Sequence, residues 1–515
     1  MDMDMDSLDK SRSGFKRHIL FQVVLLSLFA VGEVSCSNIL VIPGLSSGSS
    51  YPYLSSIGEH LVKAGHRVTL LVGHQNDIHK TPHHRELFKF EEYNTVLQSS
   101  LVENRENLAK IIRGEFRATD VTVLTDALLS DCEVILEDQE LFTRLSDARF
   151  DIVVLNNLMT CNVLIAQKLS LPFVMVSTNR PIPQFDAYYL AMPTPLSYVP
   201  AFLTGLPDKM NFAQRLKNAL FYSATVALFK YFMLKPYEDL KQLHGIQPDI
   251  GIEESLGMAE ITLFGVDWTL EFPRPVMPNI VFLGGLLAKE SSPLTASASM
   301  MSRHGKAEII MEALARLPQK VVIRYEGEPP RSLGNNTKLT EWMPQNDLLG
   351  HPKTKAFVGH GGMNGIYQAI FHGIPTVGIP LFTDHYDNFA RLVKKGMAVE
   401  LNIGTLTSEE LYQAIMNVIK EPGYRESAMH LSRIHRDKLV PPGDTAVYWI
   451  EHVIKHGGEH LRAEVHNLNF IQYFLLDVIA FLVLTVTVLV LLLRKMLSVL
   501  CRACCKRESR KEKPE

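Results

Sequence analysis

Cysteine is scarce, 6 residues in a chain of 515, so a scaffold held together by disulfides is excluded. Charge of one sign is not in excess either. The 52 Lys and Arg against 55 Asp and Glu leave a net charge of -3, without the basic surplus that draws a protein to nucleic acid, so no nucleic-acid partner is expected. No fixed-period repeat occurs, which removes solenoids and propellers. What remains, 46% hydrophobic and 21% charged residues over this length, is ordinary globular composition and suits two domains.

Long apolar runs are confined to the two ends. Near the start, Lys10, Arg12, Lys16 and Arg17 precede the run Ile19 to Val31, and the small residues Ser35-Cys36-Ser37 follow, which reads as a cleavable secretory signal over 1–37. Near the other end, Phe470 to Leu493 is apolar apart from Gln472, Asp477 and two threonines. At about 1.5 Å per residue this run reaches about 36 Å, enough to cross a bilayer core of about 30 Å. Asp477 falls close to the interface, where it can be hydrated. The basic tail 494–515 should stay cytosolic, which places the bulk of the chain in the lumen as a single-pass type I protein. Lys511 and Lys513, near the carboxyl end, resemble the dilysine address that returns such proteins to the endoplasmic reticulum membrane. Only Cys132 and Cys161 would then face the lumen, and whether they pair is open. Asn335-Asn336-Thr337 is a glycosylation sequon.

Between the ends, short β-branched runs alternate with amphipathic stretches. Ile39–Ile42, Val68–Val72, Asp151–Leu155, Phe173–Val176 and Ile261–Phe264 form one set, and Val321–Tyr325, Ala356–Val358, Thr376–Leu381 and Met397–Leu401 a second. Strand, helix, strand with short loops predicts parallel, doubly wound sheets. Pro273, Pro275 and Pro278 between the sets suit a linker. The expectation is an α/β protein of two Rossmann-like lobes with a cleft between them.

One stretch carries chemistry. The strand at Ala356–Val358 runs into Gly359-His360-Gly361-Gly362-Met363-Asn364-Gly365 and then into a helix. A Gly-rich turn opening a helix lets backbone N–H groups approach a phosphate, and the helix terminus adds partial positive charge. Upstream, Trp342 opens a Pro-Gln-Asn-Asp loop suited to stacking on a base, with Gln345 beside it. Downstream, Asp384-His385 follows a strand end, as partners of sugar hydroxyls would.

Together these residues resemble the signature of the UDP-glycosyltransferases. The similarity extends to Met210–Asn218, to Leu333–Leu339, and to the Trp449 helix with the apolar run and basic tail beyond it. Asp384-His385-Tyr386-Asp387 is most similar to the ceramide galactosyltransferase branch, with the glucuronosyltransferases next. The resemblance implies a GT-B fold with one C-terminal transmembrane helix. An acceptor-binding lobe would occupy 38–270, a linker 271–304, a UDP-sugar lobe 305–465, the membrane helix 470–493 and the tail 494–515. It implies inverting transfer without metal or cofactor. UDP-glucuronate, UDP-galactose or UDP-glucose would be the co-substrate and a lipophilic molecule or lipid the acceptor. Residue by residue it places Trp342 on uracil, Gln345 on the nucleoside and Gln368 at the ribose. His360, Gly361, Asn364 and Gly365 would hold the diphosphate, and Asp384 and His385 the sugar. Association with a second copy or a related chain stays open.

The chain departs from that pattern at several points. Ser50 stands where the family places its catalytic His, and Asn156 where it places the Asp that polarises it. Neither can act as a base near neutral pH. His60 lies several helical residues beyond Ser50 and reads as a surface residue. Gln368 replaces a Glu, and Gly359 a small hydroxyl residue. Between Leu294 and Ala307 the family has a further strand and phosphate loop, roughly twenty residues, that this chain lacks. His74, His79, His83 and His84 read as a solvated loop rather than a metal site. Two functions follow as expectations: a UDP-glycosyltransferase, or an impaired relative or variant that keeps nucleotide or acceptor binding.

Overall fold

The computed structural model describes residues 36–44, 50–74, 80–95, 118–291, 306–325, 327–340, 343–381 and 383–508. The expected signal run, His79, Trp342 and the dilysine pair lie outside them.

The first lobe is built on seven strands: β1 Asn38–Ile42, β2 Arg67–Gly73, β3 Lys89–Tyr93, β4 Ile152–Asn156, β5 Phe173–Ser177, β6 Thr262–Phe264 and β7 Ile280–Phe282. They pair in the order β3-β2-β1-β4-β5-β6-β7, parallel throughout. β1, β4 and β5 are continuous apolar runs because both faces are covered. One face packs on the helix Ser50–Lys63 through Leu54, Ile57 and Leu61, the other on Leu136, Leu141 and Leu164. Cys132 and Cys161, whose pairing the sequence left open, form a disulfide that ties the helix Ala118–Glu137 to the helix Thr160–Lys168. The segment read as a linker contributes β7 to this sheet.

The second lobe holds β8 Val321–Arg324, β9 Thr337–Thr340, β10 Phe357–Gly359, β11 Thr376–Gly378 and β12 Ala398–Glu400. They form two separate parallel sheets, β8-β9 and β10-β11-β12, over one core that includes Met311, Leu314, Val377, Leu411 and Ile415. The first lobe has the order 3-2-1-4-5-6-7. The second repeats it as 3-2 and 4-5-6, and among the described residues no strand fills the first position. The strands beside that position are unusually open for a parallel sheet, with Val322 43% and Val358 36% exposed.

After the second lobe the helix Pro442–His456 returns to the first. Ala446, Ile450 and Val453 join the core around Leu54, and His66 Nε2 meets Glu451 at 2.9 Å. This contact corrects the reading of His60 as a surface residue: it is half-buried, bonded through Nδ1 to the Ser56 carbonyl at 2.8 Å, and its ring lies so close to Gly443 that a Cβ there would clash. His83 and His84 are likewise not on a loop. They sit in a short helix, Pro82–Leu87, capped by Thr81, where His84 bonds the Tyr51 hydroxyl at 2.8 Å. The helix Leu476–Glu508 carries an apolar stretch, Leu476–Arg502, none of it buried in the lobes and long enough at about 40 Å to cross a bilayer.

Candidate active site in the interlobe cleft

The order of the first sheet reverses between β1 and β4, and the crevice at the carboxyl ends of such strands is where open α/β sheets bind ligands. Ser50 and Asn156 both belong to this edge. Ser50 is the first residue of the helix that follows β1, and Asn156 is the last residue of β4. Asn156 is buried and committed to its own turn, its Oδ1 accepting from Leu158 N at 2.9 Å while its Nδ2 has no hydrogen-bond partner. A buried amide with an unmatched donor has no basicity to lend.

Across the cleft, the turn after β10 opens the helix Met363–Phe371. Gly361 has φ +101°, and a Cβ there would stand 2.8 Å from the Phe389 ring, so only glycine fits both the backbone and the space. Its carbonyl accepts from Asn388 Nδ2 at 3.0 Å. His360 is exposed, and its ring stands edge-on to that of His385, centroids 4.7 Å apart. The surrounding protein lowers the His360 pKa, and burial followed by the neighbouring His360 pushes His385 down to about 3. Both imidazoles are neutral at physiological pH, able to donate an N–H to a phosphate or hydroxyl.

Asp384 follows Thr383, a non-glycine residue at φ +48°, and is held by Asn388 Nδ2 at 2.8 Å and the Thr383 hydroxyl at 3.0 Å. Burial raises its pKa. Gln345 opens the helix Gln345–Leu349 and donates to Gln368 Oε1 at 2.8 Å, and a Cβ on Gly365 would lie 3.2 Å from that same amide. Gln345, Gly365 and Gln368 are thus one cluster, and His360, Gly361, Asp384 and His385 another, with Asn364 in the first turn of the helix between them. Among the described residues no group of three or more His, Cys, Asp or Glu side chains could hold a metal ion.

The lobes are held together by charges that the residue pattern did not reveal. Arg180 meets Asp387 at 3.0 Å and Glu271 at 3.6 Å, and Arg391 meets Glu271 at 3.2 Å, all four buried. Asp387 also accepts from the backbone N–H groups of Leu203 and Gly205 at 2.6 and 2.8 Å. Because Asp387 and Arg391 lie in the helix His385–Lys394, the first lobe sets the position of the helix that begins at His385. A second lock centres on Asp267, which takes His435 Nδ1 at 3.0 Å, Lys438 Nζ at 2.9 Å and the Tyr367 hydroxyl at 3.2 Å. Burial alone would raise the Asp267 pKa, but the His435 hydrogen bond and the Lys438 charge hold it well below the usual carboxylate range. Gly284 and Gly285 make room for this lock, since Cβ atoms there would strike Asp267 and His435. Asp387 was within reach of the sequence, standing three residues after Asp384; the others had no local signal.

Solved structures share the architecture. The glycotransferase of kitacinnamycin aligns with TM-score 0.57 at 19% identity, covering 81% of this chain and 99% of that one. The calicheamicin glycosyltransferase CalG4 aligns with TM-score 0.55 at 17% identity, covering 81% and 98%. Two α/β lobes facing across this cleft define a GT-B glycosyltransferase fold. Residues 37–305 and 296–511 match the family described as "UDP-glucoronosyl and UDP-glucosyl transferase". Human UDP-glucuronosyltransferase 2A2 is 38% identical over 506 residues, 92% of this chain and 93% of that protein. Human 2-hydroxyacylsphingosine 1-beta-galactosyltransferase is 35% identical over 487 residues, 90% and 88% of the two chains. The chain belongs to the UDP-glycosyltransferase family.

Proposed function

We propose that this chain binds a UDP-sugar through the Gly-rich turn and transfers a hexosyl or glucuronosyl group to a lipophilic acceptor hydroxyl. In such a step the acceptor oxygen bonds to the anomeric carbon from the face opposite the leaving group, the bond to UDP breaks, the hydroxyl proton passes to solvent water, and the centre inverts. The observation that carries the reading is the convergence of His360, Gly361, Asp384, His385, Gln345 and Gln368 at the turn and helix terminus of the second lobe. Neutral imidazole N–H groups and the helix terminus would stabilise charge on the departing UDP, and the reaction would need no metal. Trp342 would stack on the base. The lobes would lie in the lumen of the endoplasmic reticulum, anchored by the C-terminal helix.

A second reading has its own support. The acceptor hydroxyl must lose a proton, and neither Ser50 nor the buried amide of Asn156 can take it. Among the described residues no strand joins β8 to β10, and the two stretches of the family match meet at 296–305, which together support the reading that a family strand is missing there. On this reading the chain is an impaired transferase that retains nucleotide or acceptor binding. UDP release by the full-length protein in membranes, assayed across UDP-glucuronate, UDP-galactose and UDP-glucose with lipophilic alcohols, tests both. Slow release with one donor supports a weak transferase. None with any donor, together with measurable UDP binding, supports the impaired form, and absence of both release and binding refutes the two readings.

A further inference from the structure

The helix Pro442–His456, which returns to the first lobe, carries His452 and His456 one turn apart, their ring centroids 5.0 Å from each other. A third histidine, His460, lies beyond its end. Were the helix to continue, eight residues would set His460 about 12 Å further along the axis than His452. Instead the chain folds back. Gly457 takes φ +69° and ends the helix, its N–H still bonded to the Val453 carbonyl at 2.9 Å. Gly458 is buried and donates its N–H to the Glu260 carboxylate, at a place where a Cβ would strike Glu260. The 3₁₀ turn Glu459–Leu461 follows, and Leu461 packs against the core around Leu54. His460 is thus held between two residues anchored on the first lobe, and its Nε2 comes to 3.1 Å from Nε2 of His452.

Two facing imidazole nitrogens have two uses. A shared N–H makes a neutral hydrogen bond, worth only about 0.5–1.5 kcal/mol net. Both lone pairs can instead point at one ion. Nitrogens about 2.0–2.1 Å from a zinc ion stand about 3.3 Å apart at the tetrahedral angle and about 2.9 Å apart at a right angle, and the separation of the two Nε2 atoms falls between these values. The turn at Gly457 and Gly458 sets that separation through backbone contacts, so the pair is organised before any ion arrives.

We propose that His452 and His460 bind a divalent transition-metal ion of the imidazole-preferring class, such as zinc, which staples the turn after the helix Pro442–His456. Imidazole suits such ions, whereas magnesium and calcium take oxygen ligands. Among the described residues no third side chain completes the group, so water fills the remaining positions. The role is structural. Glu260, which pins the turn, stands just before β6 and bonds through its own N–H to the carbonyl of Phe173, the first residue of β5, so the staple lies at the amino-terminal edge of the first sheet. The cleft lies at the carboxyl edge, beyond the five residues of β5, a length of about 16 Å. The ion therefore takes no part in transfer; it fixes the turn from which the chain proceeds to the apolar run at Phe470.

The test treats the untagged full-length chain, in detergent and stripped with a chelator, with diethyl pyrocarbonate in the presence and absence of zinc chloride, and maps the modified histidines by peptide mass. Zinc is expected to remove most of the label from both His452 and His460 and to leave that on the exposed His430 unchanged. Equal label with and without zinc overturns the proposal and leaves the hydrogen bond as the pair's whole explanation. Protection of one member alone, or equal protection by magnesium, overturns it as well. In calorimetry with zinc, His460→Asn should weaken one site by at least about tenfold and abolish the rise in melting temperature that zinc gives the parent. An unchanged isotherm in that variant would show that zinc binds elsewhere. The labelling experiment needs no variant and decides the matter whether or not His460→Asn folds.

Discussion

Replacing Asp267 by Asn tests whether the interlobe lock holds the second lobe in place. The substitution keeps the shape and one oxygen, so the bonds from the Tyr367 hydroxyl and Thr269 N survive. The other oxygen, which receives both His435 Nδ1 and Lys438 Nζ, becomes an amide that cannot accept from either. Breaking a buried ion pair by removing one partner costs about 3–5 kcal/mol. For a domain of about 150–250 residues each kcal/mol lowers the melting temperature by about 2–4 °C, so a fall of roughly 6–20 °C is expected in a thermal melt of the detergent-solubilised chain at neutral pH. Glu290→Gln, which removes the exposed partner of Arg436, should cost no more than about 1 kcal/mol and serves as the control. The pH dependence follows from the sign of the shift. A carboxyl held below its unfolded value contributes stability above about pH 4 and loses it as pH falls toward its folded value, so the two melting curves should converge in acid. A melting point within about 1 °C of the unmodified chain at neutral pH, or a gap that persists unchanged in acid, would refute the lock.

Three further outcomes are expected. Ser50→His combined with Asn156→Asp should raise UDP release by about 10²–10⁴-fold, the usual contribution of a positioned base; no rise would mean that the two positions do not face the acceptor. Calorimetry should find UDP bound no more than about thirtyfold more tightly than uridine, because a single helix terminus is worth at most about 2 kcal/mol, and a preference near a thousandfold would show a complete diphosphate cradle. Cys132→Ser opens a loop of sequence separation 29 and should lower stability by about 3–4 kcal/mol, read as a lower urea midpoint than the oxidised parent; equal midpoints would show that the bridge adds nothing to the fold.

Most of the strands were legible because a parallel strand covered on both faces must be apolar along its whole length. Ile39–Ile42 and Phe173–Val176 both lie within observed strands that are buried on both faces. β3, β7 and β9 escaped notice for the opposite reason. β3 carries Glu91 and Glu92, β9 is the polar run Thr337–Thr340, and β7 is three residues close behind a proline-rich stretch. At or near a sheet edge, burial does not impose an apolar code.

The residue sequence by itself determined what near neighbours decide: the alternation of strand and helix, the glycine turn ahead of the Met363 helix, the apolar C-terminal run, and the Ser and Asn at positions 50 and 156. These are set by periodicity, backbone sterics and side-chain chemistry within a few residues. Only the tertiary structure decided that Cys132 meets Cys161, that His60 packs under Gly443, and that Arg180 pairs with Asp387 at a sequence separation of 207. It also decided that, among the described residues, two sheets and not one line the second lobe. Those outcomes depend on which surfaces the lobes bury against each other. A charge carries no mark in its own sequence neighbourhood of the partner that burial will force it to find.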